Sequence, residues 1–500
     1  MKSIKSILCK PYAKYVVAQQ QDWMFDAANT QKKTLKYLLE KARDTQFGKA
    51  HRFHLIKSHQ EFVKQVPIRD YESLKEYVHK AQQGIPDVLW PGLPLYLAKT
   101  SGTTSGFKYI PITKESIGFQ IAAARDALLN YVFDTKNTNF LDGNLMFLSG
   151  SPELKKEHGI WIGRLSGIVN HHIPSYLKYS QLPSYKTNCI SDWESKIEHI
   201  IDETIHKPMS LISGIPPWVQ MYFDRIQARI DRPIKDIFPQ FSLYVFGGVN
   251  FEPYKKKLFE TIGKSIDNIE TFPASEGFFA FQNVQSDEGL LLLLNSGIYY
   301  EFVPVEEINS NQPTRLSIAE VELDKNYAMI ISTNAGLWAY SIGDTVKFVS
   351  KNPYKIIVTG RVKHFISAFG EHVIGEEVER ALKKTLGKYP KVEITEFTVA
   401  PYVASQSEAS FHEWLIEFAN PPENISRFAE DLDNAMVSIN SYYSDLIIGK
   451  ILNPLTITRL QPNAFIEYMK SEGKLGGQNK VPRLTNDRKI AQNLSPWKLN

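Results

Sequence analysis

The chain has 500 residues, 43% hydrophobic and 22% charged, and its 58 basic against 54 acidic residues give a net charge of +4. This length predicts two or more domains, while the composition excludes a disordered chain and the weak charge bias argues against a nucleic-acid-binding protein. Two distant cysteines and no apolar run near the roughly 18 residues that span a bilayer predict a cytoplasmic protein with no membrane association, disulfide framework or zinc site.

The order of predicted elements indicates a mixed α/β fold. Apolar spacing predicts helices through most of residues 1–90, and strands then alternate with helices, which predicts a parallel or mixed sheet covered by helices. Residues 288–350 are rich in strand patterns and predict a meander or small barrel. A small α+β domain follows, so we expect domains at 1–359 and 360–500. The predicted strands of the β-rich part are GLLLLLN, IYYEFVPV, IAEVELD, YAMIISTN and DTVKFVS.

A loop of small residues, KTSGTTSGFKYIPIT at 99–113, is the first candidate site. Its glycines let the backbone approach a ligand, and its hydroxyls and N–H groups could bind phosphate oxygens, although such residues also cluster in ordinary turns. It is not a Walker A loop, because three residues separate its glycines and Phe107 precedes Lys108. The candidate residues are Ser101, Gly102, Thr103, Thr104, Ser105 and Gly106.

Two further stretches follow predicted strands. In VFGGVNF, Gly247 and Gly248 lie at the carboxyl end of a strand, where ligands of α/β sheets commonly bind, or they form a simple tight turn. In TFPASEGFF, Glu276 stands among aromatic and small residues, so its carboxylate needs a partner. A Mg²⁺ ion carried by a nucleotide and a structural salt bridge are both suitable partners.

The last two candidates lie near the predicted domain boundary. Asp344 in WAYSIGDTVKF could accept hydrogen bonds from two ribose hydroxyls, or it could only shape a turn. Arg361 in TGRVKHF suits contact with phosphate or ribose, and the alternative is a surface arginine at a hinge.

Together these motifs, in this order, resemble the adenylate-forming superfamily. Within it the chain is similar to the Gretchen Hagen family of auxin-responsive acyl acid amido synthetases, and more to its bacterial branch than to its plant enzymes. The resemblance runs nearly end to end, through FGKAHRF, LAKTSGTTSG, FPASEGFFAF, AGLWAYSIGD, GRVKHFISAFGE and GGQNKVPRL.

The resemblance implies a set of roles around ATP and Mg²⁺. The loop from Ser101 to Lys108 would hold the phosphates, and Gly247 and Gly248 would flank the adenine. Phe272 would lie beside the base in place of the family's usual tyrosine. The other implied roles are Ser275 near phosphate, Glu276 on Mg²⁺, Asp344 on the ribose, Arg361 at the hinge and Lys480 as the mobile catalytic lysine, for which an ordinary solvated lysine is the alternative.

The implied reaction is a ligation that releases AMP. A small carboxylic acid and ATP give an acyl-adenylate and pyrophosphate, and an amino acid amine then takes the acyl group. Thioester formation with coenzyme A, or nucleotide binding without catalysis, are the alternatives. The acid, the amine and the oligomeric state stay open. Ile215, Trp218 and the helix at 116–132 are candidate walls of the acyl pocket, although core packing explains the two apolar residues equally well.

Three departures from the family pattern concern single side chains. Lys108 follows Gly106 by two residues where three are expected, which puts its contact in question. Ser341 replaces an arginine common in the plant motif, and His364 stands where many superfamily members have an aspartate. Apart from the contact of Lys108, the nucleotide contacts implied above do not depend on these positions.

Overall fold

The structure is a computed structural model that describes residues 4–100, 108–190, 192–248, 251–308, 310–362, 365–366, 373–402, 410–448, 452–475, 480–485 and 487–499. Its contacts divide the chain into two compact units. The first unit comprises Met1–Val249 and Thr261–Val358, and the second comprises Asn250–Glu260 and Thr359–Asn500.

Several helices of the first unit begin at side chains that cap them. Thr113 caps the longest helix after residue 100 by accepting a hydrogen bond from the N–H of Ser116, whose hydroxyl accepts one from the N–H of Thr113. Asp70 caps its helix in the same way, by accepting from the N–H of Ser73. The helices are α1 (Ile4–Phe25), α2 (Ala27–Ala42), α3 (Gln46–Ala50), α4 (His59–Gln65), α5 (Tyr71–Gln82), α6 (Lys114–Thr135), α7 (Leu165–Asn170), α8 (Ser175–Lys178), α9 (Tyr185–Asn188), α10 (Trp193–Thr204), α11 (Pro216–Ile230) and α12 (Ile234–Ile237).

Two sheets form the centre of the first unit. Its strands are β1 (Tyr96–Thr100), β2 (Lys108–Ile112), β3 (Asn144–Phe147), β4 (Lys155–Glu157), β5 (Ile160–Gly163), β6 (Gln181–Leu182), β7 (Met209–Ser213), β8 (Leu243–Gly247), β9 (Asp267–Ala274), β10 (Gly277–Phe281), β11 (Leu290–Leu292), β12 (Ile298–Pro304), β13 (Asn326–Thr333), β14 (Tyr340–Lys351) and β15 (Tyr354–Arg361). The small sheet has the order β2-β1-β5-β4, and the large sheet has eleven described strands in the order β12-β13-β14-β15-β11-β10-β9-β8-β7-β3-β6.

The large sheet is mixed, as the sequence predicted. Strands β6, β3, β7, β8 and β9 pair in parallel, and they are connected through helices. The pairing becomes antiparallel from β9 to β10 and stays so between β10 and β11, β11 and β15, β12 and β13, and β13 and β14. The β-rich part that predicted a meander or small barrel is therefore this antiparallel half. Strands β7 and β8 in the middle of this parallel half are largely buried on both faces, which agrees with their mostly apolar sequences.

One predicted strand of that part is wrong. Residues 318–324, IAEVELD, form a turn and a short extended stretch in which only Leu323 makes a bridge, to Phe348. The carboxylate of Glu320 accepts hydrogen bonds from the N–H of Ser317 at 2.8 Å and from its hydroxyl at 2.6 Å. This local side-chain pairing favours a turn where apolar alternation indicated a strand.

The second unit is an α+β arrangement with its own core. Its elements include residues 252–260 of α13 (Glu252–Ile262), followed by β16 (Phe365–Ile366), β17 (Val373–Ile374), α14 (Gly375–Leu386), β18 (Glu393–Tyr402), β19 (Phe411–Asn420), α15 (Ile425–Ile439), α16 (Ser441–Ile448), β20 (Thr456–Leu460), α17 (Ala464–Ser471) and α18 (Lys489–Asn493). β18 and β19 are antiparallel, and β20 joins β19 in parallel. Buried Trp414, Phe397 and Phe428 lie in the core between this sheet and helices α14 and α15.

Candidate functional site

The predicted phosphate loop connects two paired strands of the first unit. β1 and β2 are antiparallel, and Thr100 pairs with Lys108 where the loop leaves and re-enters the sheet. The strand pairing therefore holds the two ends of the loop side by side. The predicted phosphate contacts themselves, from Ser101 to Gly106, lie outside the described residues.

Lys108 is the first residue of β2 and is half-buried. Its ammonium nitrogen lies 5.7 Å from the centre of the Tyr71 ring, a distance at which a cation and an aromatic face attract each other. The Tyr71 hydroxyl accepts a hydrogen bond of 2.9 Å from the N–H of Tyr109, and burial raises the pKa of this hydroxyl. The tyrosine is therefore a neutral support beneath the lysine.

Gly247 and Gly248 end the buried strand β8. A Cβ atom on Gly247 would lie 2.4 Å from the carbonyl oxygen of Thr271 and 2.9 Å from its hydroxyl, distances that real Cβ atoms do not reach. Gly248 has a φ of 75°, in the left-handed region that glycine adopts without strain. Both positions therefore need glycine, the first for close approach and the second for its backbone angle.

Ser275 and Glu276 are the two residues of a tight hairpin between β9 and β10. Ala274 pairs with Gly277 on either side of them. Ser275 is buried and Glu276 is half-buried. Phe272, two residues before the end of β9, is 7% exposed and packs edge to face against Phe279 at 5.1 Å between ring centres. A two-residue turn fixes the direction of the Glu276 backbone closely.

Glu276 borders a small surface recess. Gln120 and Asn334 are buried polar residues in its wall, and among the described residues the side-chain N–H₂ of Asn334 has no hydrogen-bond partner. A buried amide without a partner is costly, so a ligand group that accepts a hydrogen bond here would be favoured. The other lining residues are Ser116, Phe119, Gly277, Phe278, Ser296 and Ile298.

One of the elements predicted as a wall of the acyl pocket borders this recess. Helix α6, predicted as an acyl-pocket wall at 116–132, contributes three of the lining residues. Trp218, at the start of α11, is 8% exposed, and Ile215 precedes that helix, but neither is among the residues that line the recess. Asn334 was not predicted, because its role depends on the placement of the turn after β13.

Asp344 lies in an irregular part of β14. Ser341 pairs with Ile330 and Thr345 pairs with Ala328, so three residues of β14 stand opposite the single residue Met329. Gly343 has a φ of 84° within this bulge. Bulges turn side chains out of the regular alternation and are frequent beside active sites. Asp344 is half-buried at this position.

Two predicted residues belong to the second unit. Arg361 is the last residue of β15, and its side chain lies outside what the structure describes. Lys480 is exposed and begins the described segment 480–485. The structure therefore places the backbone of both residues, and their proposed roles toward ATP stay predictions.

The carboxylate of Glu276 suits a Mg²⁺ ion that is carried by a nucleotide. Among the described residues, no group of three or more His, Cys, Asp or Glu side chains could hold a metal ion by itself. Mg²⁺ bound with a nucleotide needs only one or two protein carboxylates, because phosphate oxygens and water fill its other positions. The half-buried carboxylate of Glu276, fixed in a two-residue turn, fits that requirement.

Comparisons with known proteins identify related sequences along most of the chain. Residues 16–192 match the GH3 family N-terminal domain, 291–361 the GH3 family central domain and 376–489 the GH3 family C-terminal domain. The jasmonoyl-L-amino acid synthetase JAR4 of Nicotiana attenuata is 23% identical over 390 residues, which cover 64% of this chain and 67% of that protein.

Solved structures share the fold. GH3.15 acyl acid amido synthetase superposes with a TM-score of 0.79 at 15% identity and covers 97% of this chain and 96% of its own. A 2-hydroxyisobutyryl-CoA ligase in the postadenylation state superposes with a TM-score of 0.60 at 12% identity, over 96% and 93% of the two chains. Across the described part of this chain, the helices are too short or too polar to traverse a lipid bilayer.

Proposed function

We propose that this chain, which belongs to the GH3 family, is an ATP-dependent acyl acid amido synthetase. A carboxylic acid and ATP give an acyl-adenylate and pyrophosphate, and an amino acid amine then attacks the acyl carbonyl and releases AMP. The observation that carries this proposal is the match of all three GH3 domains in order along the chain. Membership in a bacterial branch, as the motifs indicate, stays a prediction.

The first half-reaction needs positive charge around phosphate. A carboxylate is a poor electrophile, and its attack on the α-phosphate of ATP makes AMP the leaving group. Charge gathers on phosphate in the transition state, so preorganised N–H groups and cations lower the barrier. In the proposal, the loop 101–107 supplies N–H groups and hydroxyls, and Lys108 supplies a cation whose side chain rests on the Tyr71 ring.

Nucleotide binding is assigned to the strand ends of the first unit. We assign the adenine to the end of β8, where Gly247 is half-buried and Gly248 is exposed, with Phe272 at its edge. Asp344 is assigned to the ribose hydroxyls, which its bulge position supports. When Mg²⁺ is bound with ATP, it supplies positive charge against the phosphates, and Glu276 is the residue proposed to hold it.

The acid is assigned to the recess beside Glu276. Its wall combines apolar Phe119, Phe278 and Ile298 with the polar Gln120 and Asn334, a combination typical of small-molecule sites. Ile215 and Trp218 stay candidates for the outer part of the acyl site. In the second unit, Lys480 is assigned to the reacting phosphate and Arg361 to the hinge, by family resemblance.

Acid-dependent exchange of labelled pyrophosphate into ATP tests the adenylating step without an amine. Aromatic, aliphatic and hydroxylated carboxylates are supplied in separate pools with Mg²⁺. We expect exchange with at least one pool, and a loss of about 10²–10³-fold in Lys108→Ala and Glu276→Ala, because each removes charge stabilisation at phosphate. Glu322→Ala is the matched control, since Glu322 is 62% exposed and pairs with Lys325 at 2.7 Å on the surface.

The acceptor is tested next with the active acid. Amino acids and coenzyme A are offered separately, and the product is identified by mass spectrometry. An acyl amide supports the proposal, and a thioester replaces it with an acyl-CoA ligase. ATP binding without exchange for any acid would reduce the chain to a nucleotide-binding protein of this fold.

A further inference from the structure

Arg483, in the second unit, follows Lys480 by three residues and is paired through its whole guanidinium group. Its side chain is only 14% exposed, and each of its three nitrogens has a partner. Nε donates to the carboxylate of Glu379 on α14 at 3.2 Å, Nη1 to the carboxylate of Glu396 on β18, and Nη2 to the hydroxyl of Tyr254 on α13. A single guanidinium therefore joins three elements of this unit.

The backbone around Arg483 is fixed as well. The carbonyl oxygen of Arg483 accepts a hydrogen bond of 2.9 Å from the N–H of Val399, and the N–H of Thr485 donates to the carbonyl oxygen of Val399 at 2.9 Å. The hydroxyl of Thr398 donates to the carbonyl oxygen of Pro482 at 2.7 Å. Leu484 thus forms an isolated parallel bridge with Val399, which holds residues 482–485 along β18.

The shape of the guanidinium group matters for these contacts. Its carbon lies 4.8 Å from the centre of the Phe397 ring and 5.5 Å from that of Tyr254. A planar fork can stack on a ring and donate in three directions at once, whereas a lysine ammonium is a point charge on a flexible stem. Arg483→Lys therefore keeps the charge and loses the geometry.

We propose that Arg483 is a positioning residue that fixes the chain on which Lys480 stands. Lys480 precedes Pro482 by two residues, which span at most about 7 Å of extended chain, so the anchored stretch that starts at Pro482 limits where the Lys480 backbone can lie. The inference rests on the proposed function, in which Lys480 serves the reacting phosphate. A cation held in place needs no reorganisation in the transition state, and a displacement of about 1 Å can cost about a hundredfold in rate.

The experiment compares Arg483→Lys and Arg483→Gln with Arg488→Gln. Arg488 is a matched control in the same unit: it also donates to a buried carboxylate, Glu413, and to a carbonyl oxygen, that of Pro401 at 3.1 Å, and its guanidinium stacks 4.9 Å from the Tyr402 ring centre. Two measurements are made on the full chain: amide hydrogen exchange of the peptide that covers 480–485, and kcat and KM for ATP in pyrophosphate exchange.

We expect both Arg483 variants to exchange amide hydrogen faster at Thr485 than the wild type does, with kcat lowered about ten- to a hundredfold and KM for ATP within about twofold. Arg488→Gln should leave both quantities near wild-type values even where its melting temperature falls as much. Unchanged amide exchange in the Arg483 variants would overturn the anchoring, and faster amide exchange with wild-type kcat would overturn the positioning role. An equal fall of kcat in Arg488→Gln would show general loosening and also overturn it.

The two proposals fail in different ways. If the wild type catalyses no exchange with any acid, the proposed function fails and the role of Arg483 in that reaction fails with it. Amide hydrogen exchange does not depend on activity, so it still decides whether Arg483 anchors the segment.

Discussion

Each unit contains a largely buried arginine that donates to carboxylates, and the two arginines differ in how exposed those carboxylates are. In the first unit, the side chain of Arg315 is 3% exposed and meets Glu301, which is fully buried, through Nε at 3.0 Å and Nη2 at 2.6 Å. Its remaining nitrogen donates to the carbonyl oxygens of Val63 in α4 and of Val66, which follows that helix. Arg315 thus joins the N-terminal helices to β12 with one carboxylate and the backbone.

In the second unit, Arg483 has two carboxylate partners, and each of them is partly exposed, 14% for Glu379 and 13% for Glu396. If Arg483 is removed, water can still reach both carboxylates, whereas Glu301 would have no such access. Burial of the remaining partner therefore decides the cost in stability of removing one charge, and position along the chain decides whether an ion pair also affects catalysis. We expect this cost to fall as the exposure of the remaining partner rises.

The largest loss of stability is expected for Arg315→Met. It leaves the carboxylate of Glu301 fully buried without its guanidinium, which typically costs about 3–5 kcal/mol. Urea unfolding measures this loss. The double variant Glu301→Leu/Arg315→Met should recover most of it, because two apolar side chains can replace a buried ion pair. A free energy of unfolding of Arg315→Met within about 1 kcal/mol of the wild-type value would contradict this dependence on burial.

The pH dependence of stability at a buried lysine, Lys196, provides the second prediction. Lys196 donates to the carbonyl oxygens of Ser149 and Asn188, and burial lowers its pKa from 10.5 to about 8. The cost of burying the charged form is fully present below pH 8. Between pH 8 and 10.5 the unfolded chain binds more protons, so stability rises, by at most about 1.4 kcal/mol per pH unit for one proton.

The measurement is the free energy of unfolding between pH 7.5 and 10.5 for wild type and Lys196→Met. The difference between them should change across this range, since Met does not titrate. Parallel curves would show that Lys196 keeps an ordinary pKa.

Glu413 is expected to give a pH dependence of stability in the acid range, where protonation of its carboxylate lowers the free energy of unfolding. The effect should be smaller than that of Lys196 because the partners of Glu413 are partly exposed. Burial alone would raise the pKa of Glu413, but hydrogen bonds from Lys498, Thr458 and Arg488 outweigh it and hold the pKa below its usual range. This stability is present above the ordinary pKa of 4.5 and is lost as pH falls through the folded-state value. Glu413→Gln should therefore be less stable than wild type at pH 7.

At acid pH the difference in free energy of unfolding between Glu413→Gln and wild type should become smaller. Unfolding curves at pH 7 and below pH 4.5 should show the gap between Glu413→Gln and wild type shrink. Glu423→Gln, at an exposed position, is the control and should show no such trend. A gap that widened in acid would contradict the sign of the shift.

The smallest effect is expected for Lys36→Ala. Lys36 and Glu40 are 74% and 65% exposed, and their charged atoms lie 3.7 Å apart. Exposed pairs contribute about 0.3–0.5 kcal/mol on a helix, so thermal unfolding should hardly change. A loss above about 1 kcal/mol would show that exposure is a poor guide in this protein.

Much of the fold was predictable because it depends on local patterns. Helix α6, predicted at 116–132, and strands β12 and β13, predicted as IYYEFVPV and YAMIISTN, follow apolar spacing, and their bounds agree with the predicted segments to within a few residues. The strand predicted at 318–324 was wrong because the Glu320 carboxylate pairs locally with Ser317, which apolar alternation does not reveal.

The candidate site was predictable where a motif lies on one turn. Ser275 and Glu276 form a single hairpin turn, and Gly247 stands where no side chain fits. Asn334 was out of reach, since its place beside Glu276 depends on how β10, β12 and α6 pack together. The cluster around Arg483 was also out of reach, because Tyr254 is 229 residues away in the chain.

The bulge at Asp344 lets β14 change in length without disturbing the rest of the strand. Regular pairing would place Gly343 opposite Ala328, and the strand instead reaches that partner with Thr345, two residues later. The residues on either side keep their own partners, so Tyr340 before the bulge and Val346 and Phe348 after it remain buried. Because the face of each flanking side chain follows its pairing partner, a residue inserted or deleted within the bulge changes the Asp344 turn and leaves Val346 and Phe348 in the core. The turn that carries Asp344 can therefore vary in evolution while the sheet around it stays the same.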